Sequence, residues 1–183
     1  MASRCSWCGD DPLYVKYHDE EWGIPVHDDR VLFEFLILES AQAGLSWISI
    51  LRRRENYREA FLGFDPEKVS KLRQEDVETL MKNEGIIRNR KKIESAIGNA
   101  KIFLDIQKTY GSFDKYLWDF AGGQVITGHA ERLEDVPAKT ELSERLSKDL
   151  KKRGMKFVGP TIMYAYLQAV GVVNDHVLSC DFR

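Results

Sequence analysis

Apolar residues recur three and four positions apart through most of the chain, and the elements they predict are helices. Asp11-Pro12 reads as an N-cap followed by proline at the first helical position. Residues 29 to 43 form a helix on which Leu32, Phe35, Leu36 and Ala43 point within about 60° of one direction at ~100° per residue, and Gly44 can close it. Ser46 can cap a second helix running to about Phe61. "DPEKVSKL" and "RQEDVETLMKNEG" are two short helices, the second stopped by Gly85; residues 88 to 110 are a long amphipathic helix; "SFDKYLWDF" is a short one capped by Ser112. Residues 121 to 139 show no period and read as a loop. "TELSERLSKDLKKRG" and "PTIMYAYLQAVG" then give a helix ending at Gly154 and another ending at Gly171. With no β alternation and no internal repeat, the class is all-α.

One position breaks the pattern. Glu39 falls inside the apolar sector of the 29–43 helix, where a carboxylate is expensive to bury unless something binds it. Either the helix ends there and the acid reaches water, or an arginine pairs with it, or that face lines a pocket whose ligand is its partner.

The last two helices form a hairpin around the glycine-bounded turn "RGMKFVGP". Pro160 opens the second helix just after Gly159, which leaves free backbone N–H groups at its N-terminus, an arrangement that binds phosphate. Lys148, Lys151, Lys152, Arg153 and Lys156 flank it, and two further basic runs are Arg52-Arg53-Arg54 and Arg88, Arg90, Lys91 and Lys92. The net charge of −2 means that any nucleic-acid binding comes from such local patches and not from a global field.

At 183 residues, 43% apolar and 11% aromatic, the chain is one unit with a real core. Without a signal peptide or an apolar run long enough to span a membrane, it is expected to be cytoplasmic and monomeric. Three cysteines, an odd number, argue against a disulfide framework. All three, with two of the four histidines, crowd into the two chain ends. His176 and Cys180 are four apart, so one helical turn can aim both at one ion. Cys5, His18, His176 and Cys180 would make a Cys₂His₂ zinc site; the rival set replaces His18 with Cys8, because Cys5-x-x-Cys8 is itself a zinc-like spacing. Four protein ligands leave no open position, so the metal is structural.

The hairpin resembles the helix-hairpin-helix motif of DNA repair glycosylases, with Phe157 standing where the motif's first glycine is usual. The lysine nucleophile of bifunctional members is replaced by Thr161. The superfamily's catalytic aspartate falls at Asn174, with Asp175 one residue away. Over essentially all of its length the chain resembles the 3-methyladenine DNA glycosylase I family, through "DPLYVKYHDEEWG", "LESAQAGLSWISILRRRENYREAF", "GIIRNRKKIESAIGNA" and "LKKRGMKFVGPTIMYAYLQAVGVVNDH". The resemblance implies a monofunctional glycosylase that flips 3-methyladenine out of alkylated double-stranded DNA and hydrolyses its bond to the sugar. Glu39 would read the flipped base, Trp47 stack on it, Tyr17 hydrogen-bond it and Tyr14 wall the pocket. Leu45 would fill the gap in the duplex, and Lys152, Lys156 and Gly159 would meet the DNA backbone. The family's zinc ligands fall on Cys5, His18, His176 and Cys180. Residues 28–172 would be the helical body, with the helix-hairpin-helix near 142–171, and residues 1–27 with 173–183 the zinc lobe. An ionised Glu39 suits a cationic base, and Asp175 is the candidate to activate water. The alternatives are a zinc-stabilised DNA-binding module without chemistry and a helical protein that binds acidic partners.

Overall fold

Helix α2 (Asp29–Gln42) is the axis on which the rest is assembled in the computed structural model, which describes residues 2–183. Asp28 caps it, accepting from the backbone N–H groups of Arg30 and Val31 at 2.9 and 3.1 Å. The expected single apolar face is an understatement: every residue from Leu32 to Ala41 is buried. Helices α3 (Trp47–Leu51), α7 (Arg90–Tyr110), α8 (Phe113–Phe120) and α10 (Pro160–Ala169) all pack on α2, so it has no solvent side. Two acids are buried with it. Glu34 is the ordinary case, accepting from Arg54 Nε at 2.7 Å and Arg58 Nη2 at 3.0 Å.

The remaining helices are α1 (Pro12–Glu20), α4 (Arg54–Ala60), α5 (Pro66–Ser70), α6 (Gln74–Leu80) and α9 (Glu141–Lys152). The caps expected at Asp11 and Ser112 are present, each accepting from backbone amides of the first turn. The single helix expected from Ser46 to Phe61 is instead two, α3 and α4, broken at Arg52-Arg53. The three arginines there go to different partners. Arg52 reaches Asp11 at 2.8 Å, Arg53 donates to the Ser49 carbonyl at 2.8 Å, and Arg54 turns inward to Glu21 and Glu34 at 2.8 and 2.7 Å. This basic run is therefore structural.

The loop expected over 121–139 contains a short strand. β1 (Ile126–Thr127) pairs in parallel with β2 (Val173–Asn174), too short for a period of two to register in sequence. A 3₁₀ turn at Leu133–Asp135 follows.

Helices α9 and α10 pack as a hairpin. Phe157 holds the glycine-typical left-handed conformation, with φ +56°. Its neighbourhood over-determines that strain. Asn99 of α7 accepts from the Lys156 N–H at 3.0 Å and donates to the Lys156 carbonyl at 2.9 Å, and Ser40 of α2 donates to the Phe157 carbonyl at 3.1 Å.

The N-terminal segment crosses the end of α10 backbone to backbone. Gly23 N–H donates to the Gln168 carbonyl and Val26 N–H to the Val170 carbonyl, both at 2.9 Å. Gly171, at φ +71°, makes the approach possible, since a Cβ there would lie 2.1–2.3 Å from the backbone of Ile24 and Pro25. Neither side of that contact is a movable side chain. Gly171→Ala is expected to cost about 3 kcal/mol or more, measured by denaturant unfolding; a loss under about 1 kcal/mol would show that the crossing yields.

Candidate active site and metal centre

A cavity of about 350 Å³ opens between α1, the last turn of α2, the start of α3, one side of α10 from Thr161 to Gln168 and the 133–138 segment. Glu39 lines it. The residue is 3% exposed, and its Oε2 is buried without a hydrogen-bond partner among the described residues. Glu34, one and a half turns away, has two arginines; no arginine or lysine lines the cavity around Glu39. Burial accordingly pushes the Glu39 carboxyl up to about 8. With nothing nearby to compensate a charge, burial favours the neutral carboxyl of Glu39 in the free pocket.

The rest of the lining is aromatic and amide. The rings of Tyr17 and Trp47 stand 5.5 Å apart, and Tyr14 joins them. Burial, reinforced by Glu39, raises the Tyr14 and Tyr17 hydroxyls, so both remain neutral donors. Several lining residues were missed by sequence reasoning. Trp7 and Trp22, with rings 4.9 Å apart, complete the aromatic wall; Gln42 and Gln168 add amides; Leu133, Val136, Pro137 and Ala138 close one side. Trp7, set between the two N-terminal cysteines, was the legible one. The indole N–H groups of Trp7 and Trp47 are buried without partners among the described residues. Thr161 lines the cavity, and no lysine does among the described residues.

Asp175 is buried but lines a neighbouring cavity of about 620 Å³. It accepts from the Tyr164 hydroxyl and, at 2.9 Å, from Gln168 Nε2. Tyr164 lines both cavities and stands between Asp175 and the space beside Glu39. Leu45 is exposed at the tip of the turn between α2 and α3. Lys152 and Lys156 are exposed on the α9–α10 hairpin, and Gly159 is the N-cap of α10.

Cys5, His18, His176 and Cys180 come together, all buried, with their ligand atoms within 4.8 Å of one another. Cys5 Sγ lies 3.6 Å from His176 Nδ1, and Cys180 Sγ lies 3.6 Å from His18 Nε2 and 3.3 Å from His176 Nδ1. His18 belongs to the group and Cys8 does not: the Cys8 thiol donates to the Cys5 carbonyl at 3.2 Å. Residues 176–180 form a turn closed by Cys180 N–H on the Val177 carbonyl, not the helical turn expected, yet both side chains still converge. Each histidine's other nitrogen is engaged, His18 Nδ1 with Asp19 at 2.7 Å and His176 Nε2 with the Trp22 carbonyl at 2.9 Å. Arg4 in turn grips Asp19 at 2.7 Å. The group can hold a metal ion, and it shares walls with the cavity: Trp7 packs on His18 at 5.2 Å, Trp22 on His176 at 4.7 Å, and Tyr17 is next to His18 in sequence.

A protein-family model described as methyladenine glycosylase matches residues 7–183. The chain belongs to this family. It is 50% identical over 177 residues to DNA-3-methyladenine glycosylase 1 of Escherichia coli K12, covering 97% of this chain and 95% of that protein. A crystal structure of a 3-methyladenine DNA glycosylase I superposes with a TM-score of 0.95 at 49% identity, covering 98% of each chain. A Staphylococcus aureus 3-methyladenine DNA glycosylase I, solved for the structural basis of 3-methyladenine recognition, superposes with a TM-score of 0.95 at 40% identity, covering 98% of this chain and 95% of that one. Among the described residues no helix is long and apolar enough to cross a membrane.

The state of Glu39 gives this family member a pH signature. Its folded carboxyl holds a proton more tightly than the ordinary value of 4.5, so its contribution to stability is complete below that pH and is lost as pH rises through about 8. Glu39→Gln has no such loss. The variant is expected to melt with the wild type at pH 5 and roughly 5 °C above it at pH 8.5, by circular dichroism without ligand. A difference independent of pH would mean that the carboxyl reaches water.

Proposed function

We propose that the protein removes 3-methyladenine from alkylated double-stranded DNA, flipping the damaged nucleotide into the Glu39 cavity and hydrolysing its bond to deoxyribose. The observation that carries this reading is a buried, partnerless acid ringed by aromatic side chains. Family membership supports it, as do the names of the E. coli and S. aureus proteins.

Alkylation at N3 makes adenine cationic and a good leaving group, so recognition carries more of the work than acid–base chemistry. Trp47 offers the cation a π-face, worth roughly 0.5–2 kcal/mol. Tyr17 donates to the base and Tyr14 confines it. Glu39 accepts from the N6 amine and gives up its proton as the cation enters. Ionising an acid of pKa about 8 at pH 7 costs only ~1.4 kcal/mol, which the charge-assisted contact offsets for a cation. A neutral base offers no such compensation, so undamaged adenine is left alone. Guanine presents an acceptor where adenine has its amine, and two acceptors facing each other in a dry site are penalised. Water then takes the sugar carbon. Asp175 lies behind Tyr164 and Gln168, which both donate to it, and a proton from that water would reach it by relay through the Tyr164 hydroxyl.

Leu45 fills the space left in the duplex. The α9–α10 hairpin is read as a helix-hairpin-helix, with Lys152, Lys156 and the helix terminus at Gly159 on the phosphates. Residues 1–27 and 173–183 form the lobe that holds zinc through Cys5, His18, His176 and Cys180. With zinc bonds of about 2.3 Å to sulfur and 2.0–2.1 Å to nitrogen, a tetrahedral S···N edge is about 3.6 Å. The contacts of 3.3–3.6 Å match it. Burial pushes the Cys5 thiol up to about 12, so a thiolate there needs a cation beside it. The metal would tie the chain ends together behind the aromatic wall, with no open position for substrate.

Incubation with N-methylated duplex DNA should release 3-methyladenine, far above 3-methylguanine, with selectivity on the order of 10⁴. Glu39→Gln should slow release by at least about tenfold and narrow that selectivity. Wild-type release and selectivity in this variant would remove Glu39 from recognition.

Elemental analysis should find one zinc per chain, kept in Cys8→Ser and lost in Cys180→Ser, with a lower melting temperature on loss. Zinc retained in His18→Ala but lost in Cys8→Ser would reverse the ligand assignment.

A further inference from the structure

Lys92 and Asn99 sit seven residues apart on α7. At 3.6 residues per turn and 1.5 Å rise they share one face, about 10 Å apart along the axis. Each grips the backbone of a different turn.

Lys92 Nζ donates to the carbonyls of Ala41 and Ala43 at 2.8 and 2.7 Å. The first belongs to the last turn of α2 and the second to its C-cap, both at the negative end of the helix dipole. Beyond them the turn is already tight. Leu45 N–H donates to the Gln42 carbonyl at 2.7 Å, and Gln42 Nε2 donates back to the Leu45 carbonyl at 2.6 Å. Lys92 thus fixes where α2 stops and where the Leu45 turn is held. Burial lowers the Lys92 amine, which fits a side chain committed to carbonyls.

Asn99 does the same for the other turn. It is 3% exposed, and both ends of its amide bind the backbone of Lys156. Ser40 of α2 closes the frame through the Phe157 carbonyl. α2 also bonds both turns, through Gln42 on the Leu45 carbonyl and Ser40 on the Phe157 carbonyl, but it carries the Leu45 turn at its own end; α7 grips both turns from outside, each with two hydrogen bonds.

We infer that Lys92 and Asn99 are positioning residues that fix the spacing between the Leu45 turn and the Lys156 hairpin, so that one duplex is met at two points at once. The inference rests on the DNA glycosylase reading above. Neither residue lines the base cavity, so they govern engagement of duplex and leave binding of the base alone.

The test uses Lys92→Met, Lys92→Arg, Asn99→Ala and the double variant Lys92→Met/Asn99→Ala, each checked for folding. Three quantities are read: free 3-methyladenine binding by tryptophan fluorescence, single-turnover excision from methylated duplex, and hydrogen exchange at residues 44–46 and 157–159. Lys92→Met and Asn99→Ala are expected to bind the free base as wild type does while duplex excision falls by a factor on the order of ten to a hundred. Lys92→Arg, which keeps the donors, should recover most of the rate. The double variant should lose no more than the worse single one, because releasing either turn already frees the spacing; independent structural effects would multiply. Exchange should quicken at 44–46 in Lys92→Met and at 157–159 in Asn99→Ala. Wild-type excision in Lys92→Met, base binding that falls in step with excision, or multiplicative losses would overturn the inference. A wild-type protein that releases no 3-methyladenine would instead sink the glycosylase reading. Unchanged exchange at both turns would sink the clamp by itself.

Discussion

A carboxylic acid fixed in the last turn of a helix buried from Leu32 to Ala41, with no cation to meet it among the described residues, is the constraint on which the rest of this structure turns. Helix α2 has to be buried to be the core, and Glu39 has to be on α2 to be held rigidly. The desolvation that raises its carboxyl is the direct result. Glu34, on the same helix, shows how readily arginine could have relieved such a strain. Around Glu39 the chain instead supplies rings and amides, which shape the space and leave the charge uncompensated. The site is therefore tuned by what it withholds, which is the reason for proposing a cationic base as its ligand.

The walls of that space come from two sources. α2, α3 and α10 belong to the main core and are held by packing. Tyr17 joins that core beside Phe35, whereas Trp7 and Trp22 also pack from the other side on a smaller cluster in which Cys5, Val177 and Cys180 come together and the histidines orient on Asp19 and the Trp22 carbonyl. A lobe that looks peripheral thus sets the aromatic face of the cavity.

Much of this was legible in the sequence, for reasons that can be stated residue by residue. Glu39 stood out because an acid interrupted a helical period, and the Cys and His residues because they gathered at the two ends. Choosing His18 over Cys8 was beyond spacing alone, since Cys-x-x-Cys imitates a zinc half-site; the family resemblance pointed to His18, and the folded distances group it with Cys5, His176 and Cys180 and leave Cys8 out. The ionisation state of Glu39 could not be read, because it depends on what is absent around it in space. The break between α3 and α4 was hidden because three consecutive arginines look alike until their partners are known. Leu133, Val136 and Pro137 lie in a stretch without periodicity, so nothing local marks them as cavity wall. Lys92 looked like one more solvated cation, and its partners are main-chain carbonyls, which leave no trace in the sequence.

The meeting of the two chain ends has a further consequence, for the order of events in folding. Cys5 meets His176 across 171 residues, and Ser3 meets Asp181 across 178. Contacts of such span close late, because most of the chain must already be ordered before the loop entropy is offset. During synthesis the α2 core can begin to assemble as soon as α7 and α8 follow it, whereas the support of Trp7 and Trp22 by Val177 and Cys180 waits for the last few residues. The Trp7–Trp22 wall is therefore expected to be the last side of the cavity to be fixed.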